Sequence, residues 1–76
     1  MDWRERIEVN PRILVGKPVI KGTRLAVEFI LELLAERWTH EQIFKSYSQL
    51  TEEDIWAVLS YAAEMLKEEK VYPVPV

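Results

Sequence analysis

The chain has 76 residues, no cysteine and a net charge of −3, and these properties exclude several classes of protein. Without cysteine it has no disulfide framework, no thiol nucleophile and no thiolate metal site. Apolar residues make up 49% of the chain, which suffices for a single folded domain over residues 1–76. A chain this short buries only a modest core and often gains stability from a partner subunit, so we expect a homodimer.

The charge is distributed unevenly along the chain. Residues 1–25 carry six basic and three acidic side chains, whereas residues 26–76 carry four basic and ten acidic ones. This asymmetry predicts a basic arm (1–25) on an acidic helical body (26–69), with a tail (70–76), although a solvated surface explains it equally well. The N-terminus lacks the apolar core of a signal peptide, and no apolar run is long enough to cross a membrane. We therefore expect a cytoplasmic protein.

The leading segment is predicted to be extended over residues 6–21, with one or two short strands. Ile7 and Val9 alternate with charged residues, as in a half-buried strand. Asn10-Pro11 indicates a turn. Pro18 has no amide proton to donate, so we expect it at a sheet edge or outside any ladder.

The first helix is predicted over about residues 27–36. Arg24, Glu28, Glu32 and Glu36 recur every four residues and form one polar stripe, while almost all other positions are apolar. A helix this apolar is buried on more than one side, so it is expected at the centre of the bundle.

Two further helices are predicted after it. Thr39 and Gln42 fit a capping box, so the second helix should begin at Thr39 and end near Tyr47. Thr51 should cap a third helix that runs to about Glu69, with acidic residues in its first turn. Its inward face is predicted from helical spacing to consist of Ile55, Val58, Leu59, Ala62, Met65 and Leu66.

A short helix, a tight turn and a longer helix, preceded by another helix, are typical of a helix-turn-helix bundle. Many small bundles share this order without binding nucleic acid. The third helix begins Thr51-Glu52-Glu53-Asp54, and three carboxylates would be repelled by phosphate. If DNA is bound, the expected donors are Arg12, Lys17, Lys21 and Arg24; ordinary solvated charge is the alternative.

Catalysis is not expected from this chain. His40 is the only histidine, so no second imidazole is available to bind a metal ion together with it. The sequence has no nucleophile–base pair and no glycine-rich phosphate loop. We therefore predict no enzyme activity, no metal site and no cofactor.

The aromatic residues suggest a protein contact. Trp56 lies off the main inward face of the third helix and is predicted to be either an interface anchor or a core residue. The tail is apolar and interrupted by two prolines, and an extended segment of this kind loses little entropy on docking. The candidate interface residues are Trp56, Tyr72, Val74 and Val76.

Three segments carry a resemblance to a known family. They are Asn10 to Arg24, Trp38 to Ile43, and Tyr47 to Ala62. In this order and spacing they resemble the bacterial "domain of unknown function 433" family, and the likeness covers roughly residues 6–66. The chain departs from the family at Ser48, where proline is usual, and at Arg37, where glycine usually closes the first helix.

The resemblance implies a mainly α, homeodomain-like three-helix bundle with a short extended N-terminal arm. It also implies an antitoxin that binds a PIN-like nuclease toxin and represses its own operon as a dimer, so the expected partners are a second copy, a toxin and DNA. The alternative is a homo-oligomeric interaction module with no nucleic-acid role. Steep salt dependence of operator binding would separate the two.

Overall fold

Three α-helices and a two-stranded antiparallel sheet make up the fold, as seen in a computed structural model that describes residues 2–68. The strands are β1 (Ile7–Val9) and β2 (Pro18–Ile20), and the helices are α1 (Val27–Ala35), α2 (His40–Ser46) and α3 (Glu52–Glu68). Single 3-10 turns occupy Trp3–Glu5 and Leu14–Gly16. The predicted mainly α bundle with an N-terminal strand segment is confirmed.

The N-terminal segment is part of the domain's core and not a free arm. In the sheet, Ile7 lies opposite Ile20, and Val9 lies opposite Pro18 at the end of the ladder. Val19 and Ile20 are both buried. Because successive strand residues point to opposite faces, both faces of β2 are covered. The strands of this segment are therefore held against the helices, while its charged side chains and the apolar Val9, Leu14 and Val15 reach solvent.

Helix α1 lies against this sheet through a regular apolar stripe. Val27, Ile30 and Leu33 recur at helical spacing and are buried. The polar stripe that includes Glu28 and Glu32 faces solvent, as the sequence predicts. Leu31 is half-buried at the side of the helix.

The end of α1 is a Schellman motif with Arg37 in the position that glycine usually takes. Arg37 has a φ of +69°, which is in the left-handed region. Its N–H donates to the carbonyl of Leu34 at 3.0 Å, and the N–H of Trp38 donates to that of Leu33 at 3.0 Å. The bend directs Trp38 back onto the core, where it is half-buried.

Reciprocal caps begin both later helices. The predicted capping box of α2 is confirmed, since Gln42 N–H donates to Thr39 Oγ1 and Thr39 N–H donates to Gln42 Oε1. At α3 the same exchange joins Thr51 and Asp54, with Thr51 N–H donating to Asp54 Oδ2 at 3.0 Å. The first cap fixes the connection between α1 and α2, and the second fixes the short turn between α2 and α3.

One part of the predicted inward face of α3 is wrong. Ile55 and Val58 are buried as expected, but Leu59 is 48% exposed and Leu66 is 62% exposed. Ala57, which was not predicted to face inward, is fully buried. The buried side of α3 is therefore rotated away from Leu59 and Leu66, which places both leucines at the surface.

Candidate functional site

An apolar groove of about 360 Å³ lies where β2, α1 and α3 meet. Its apolar floor is formed by Val27 and Leu31 of α1 and by Tyr61 and Met65 of α3. The further lining residues are Lys17, Pro18, Glu28, Ala62 and Leu66. Apolar clefts with a few charged groups at the rim are the usual form of a binding site.

A strained loop lies beside this groove. Leu14, Val15 and Gly16 all have positive φ, at 47°, 56° and 78°. Val15 is β-branched and 96% exposed, so its side chain gains nothing from packing that would offset the strain. A second depression, lined by Leu14, Val15 and Ala26 together with Lys17 and Glu28, shares the last two residues with the groove. The loop and the groove therefore form one continuous surface.

The ion pair between Lys17 and Glu28 is the shared rim of the two depressions. Lys17 Nζ lies 2.5 Å from Glu28 Oε1, and both side chains are exposed. The hydrogen bond to Glu28, together with the negative charge of that carboxylate, raises the pKa of Lys17 above its ordinary value. Lys17 was predicted to donate hydrogen bonds to DNA phosphates. In the structure its ammonium group is instead paired with the carboxylate of Glu28, 11 residues further along the chain.

The other three predicted DNA donors are exposed. Arg12, Lys21 and Arg24 each reach solvent, and none of them forms an ion pair within residues 2–68. They lie on the segments before β2, after β2 and before α1 respectively. Their charges are therefore available to an anionic partner.

The outer side of α3 carries a row of exposed apolar side chains, which we call the α3 stripe. It consists of Trp56, Leu59, Ala63 and Leu66. Trp56 is 43% exposed, so of its two predicted roles the core role is wrong. The other predicted interface residues, Tyr72, Val74 and Val76, lie outside the described residues.

The acidic first turn of α3 divides into an exposed and a buried part. Glu52 and Glu53 face solvent, whereas the side chain of Asp54 is only 6% exposed and lies 3.1 Å from Arg6 Nη1. The sequence analysis missed this pair, because a carboxylate at a helix start is already explained by the helix dipole. Two exposed carboxylates therefore remain in the first turn of α3.

The only histidine of the chain, His40, lies at the surface. His40 Nδ1 lies 3.0 Å from Glu52 Oε2, and both groups are exposed. The described part of the chain holds no group of three or more metal-ligating side chains. Each helix between residues 2 and 68 is too short or too polar to span a bilayer.

Comparison with known proteins gives one match. The family model described as "Protein of unknown function (DUF433)" matches residues 7–62, which is most of the chain. No curated protein and no solved structure matches it significantly. The matched range contains both strands, α1, α2 and most of α3, so it includes the strained loop and all of the groove's lining residues except Met65 and Leu66.

Proposed function

Because the chain belongs to the DUF433 family, whose function is unknown, we propose a function from its own surfaces together with its sequence resemblance. It is a non-catalytic binding protein, the cytoplasmic antitoxin of a toxin–antitoxin pair, and its toxin is a PIN-like nuclease. The toxin docks on the groove and on the strained loop beside it. The resemblance supports this class of partner, and the geometry supports the choice of this surface.

One observation carries this proposal: two apolar depressions, one at Val15 and the other the groove, adjoin each other at the Lys17–Glu28 ion pair. Exposed apolar surface of this kind costs solvation free energy in a free protein and marks a contact site. The groove is concave, so it suits a projecting side chain or segment of a partner.

The backbone strain at the loop supports the same surface. A left-handed residue other than glycine costs roughly 1–2 kcal/mol, and Leu14 and Val15 are consecutive. Local hydrogen bonds hold them there, with Gly16 N–H donating to the carbonyl of Ile13 at 3.0 Å. Strain of this kind is found where a side chain must be presented to a ligand. Val15 is presented fully to solvent.

The test is co-expression with the product of the adjacent gene, followed by co-purification and measurement of nuclease inhibition. We expect Val15→Asp to lower affinity by at least tenfold, because it puts a charge into the apolar contact. Val9→Asp is the matched control, since Val9 is also exposed but lines neither depression. Equal inhibition by both variants and the unmodified chain would contradict this contact surface.

A second candidate function, operator binding, is favoured by the exposed cations of the N-terminal segment. Arg12, Lys21 and Arg24 carry three positive charges without a carboxylate partner among the described residues. Such charges bind phosphate and release counterions, so operator affinity would fall steeply with salt. The alternative, a homo-oligomeric interaction module with no nucleic-acid role, predicts no binding to DNA at any salt concentration.

A further inference from the structure

We infer that the α3 stripe is the seam of a homodimer, in which α3 of a second copy packs antiparallel against it. This inference goes beyond the proposed function, since the stripe shares only Leu66 with the groove. Trp56 was predicted as an interface anchor without a stated partner, and the spacing and the charges of the stripe favour a second copy there.

The spacing of the stripe is that of a helix–helix seam. Trp56 and Ala63 are seven residues apart, as are Leu59 and Leu66, so the four alternate by three and four like the apolar positions of a heptad. All four are exposed in the single chain. At 1.5 Å per residue the seam is about 15 Å long, so we expect a dimer of micromolar and not nanomolar affinity.

The flanks of the seam decide its direction. One flank carries Glu53, Ser60 and Lys67, again seven residues apart, and the described structure leaves Glu53 and Lys67 exposed. The other flank carries Ile55 and Ala62, which are buried or half-buried in the same subunit. Only an antiparallel pair of helices places the exposed flank of one copy, which carries Glu53 and Lys67, against the same flank of the second copy.

In that arrangement the charges are complementary. Glu53 of one copy faces Lys67 of the second copy, and the same pair repeats across the two-fold axis, where Ser60 meets its own copy. A parallel arrangement would instead set each open flank against a flank already buried in the partner. The antiparallel arrangement also aligns the helix dipoles favourably.

The sizes of the facing side chains fit the same register. Trp56 lies opposite Leu66 of the second copy, and Leu59 lies opposite the small Ala63. A large side chain opposite a small one lets the two helices approach closely at the centre of the seam. The strained loop is made of residues outside the stripe, so it stays open for another partner.

The test uses the whole chain and measures its mass as a function of concentration by sedimentation equilibrium. We expect a dimer at tens of micromolar that Leu59→Glu converts to a monomer with unchanged helical circular dichroism. Val9→Glu is the matched control, because it adds the same charge at an exposed apolar site outside the seam and should leave the dimer intact.

Charge reversal tests the direction of the seam. Glu53→Lys alone and Lys67→Glu alone should each weaken the dimer roughly tenfold, since two pairs become repulsive in each case. The double variant should regain most of the lost affinity. A chain that stays monomeric at several hundred micromolar, a dimer unaffected by Leu59→Glu, or a double variant weaker than both single ones would overturn the inference. Toxin binding is measured separately with the Val15→Asp variant. Failure of one proposal therefore does not imply failure of the other.

Discussion

The guanidinium of Arg6 lies 3.1 Å from the buried carboxylate of Asp54 and joins two parts of the chain that are 48 residues apart. The second carboxylate oxygen of Asp54 caps the start of α3 by accepting from Thr51 N–H. One side chain therefore both begins the helix and attaches the N-terminal segment to it.

Removing Arg6 should leave the Asp54 charge buried without its partner. We expect Arg6→Ala to lower the free energy of unfolding by about 1–3 kcal/mol in urea denaturation. Lys17→Ala is the control, because its ion pair with Glu28 is exposed to solvent and should contribute little to stability. Similar losses in the two variants would mean that Asp54 does not depend on Arg6.

Arg37→Gly should stabilise the protein. Its left-handed backbone at the end of α1 costs an L-residue roughly 1 kcal/mol that glycine does not incur, so thermal unfolding should shift to higher temperature. The control is Glu36→Gly, at the preceding residue with a φ of −83°, which should be destabilising because glycine there only adds chain entropy. An unchanged or lower melting temperature for Arg37→Gly would refute this account of the Schellman turn.

Val15→Gly should separate stability from binding. It relieves strain at a fully exposed residue and should raise the free energy of unfolding by about 1 kcal/mol. It also deletes the presented side chain, so affinity for the toxin should fall. Val9→Gly, in extended backbone, should be destabilising instead. A Val15→Gly variant that is more stable and binds equally well would argue against a role for Val15 in docking.

Acid should loosen the contact between the N-terminal segment and α3. The hydrogen bond from Trp3 Nε1, aided by the charge of Arg4, lowers the pKa of Glu64 below its ordinary value. Because the pKa of Glu64 is lower in the folded chain than in the unfolded chain, its ionised form stabilises the fold. This stabilisation is fully present above the unfolded pKa of about 4.3, and it is lost as the pH falls through the pKa of the folded chain. The Trp3 indole N–H resonance should shift over that range.

Glu64→Gln serves as the reference for that titration. It keeps an acceptor for Trp3 but cannot ionise, so the acid-dependent loss of stability should be smaller than in the unmodified chain. Identical pH profiles for the two proteins would show that Glu64 does not contribute.

Operator binding should show a salt slope that depends on the exposed cations. If each phosphate contact contributes about 0.9 to the slope of log affinity against log salt, replacing Arg12, Lys21 and Arg24 by glutamine should reduce the slope by about 3. Lys45→Gln, on exposed α2, is the control. A slope that the triple variant leaves unchanged would assign DNA binding to other residues.

The helices and their caps were predictable because local signals determine them. The capping box of Thr39 and Gln42 depends on residues three apart, and it forms as expected. Leu59 and Leu66 were misplaced because they lie on the border of the apolar arc of α3. Helical spacing gives the width of such an arc but not the direction from which the rest of the protein packs on it.

The groove was not predictable from the sequence, since it depends on tertiary packing. Its walls come from β2, α1 and α3, and no short motif links them. The pairing of Lys17 with Glu28 and of Arg6 with Asp54 has the same origin. The positive φ values of Leu14 and Val15 also escaped prediction, because neither residue type favours that backbone region.

The contact between Trp3 and Glu64 spans 61 positions of the chain. During synthesis Trp3 leaves the ribosome before Glu64 does, so it cannot dock until α3 has followed it. Helices α1 and α2 can form early, but this contact closes only after α3 has been synthesised. Truncations that remove the last turns of α3 should thus release the beginning of the chain as well.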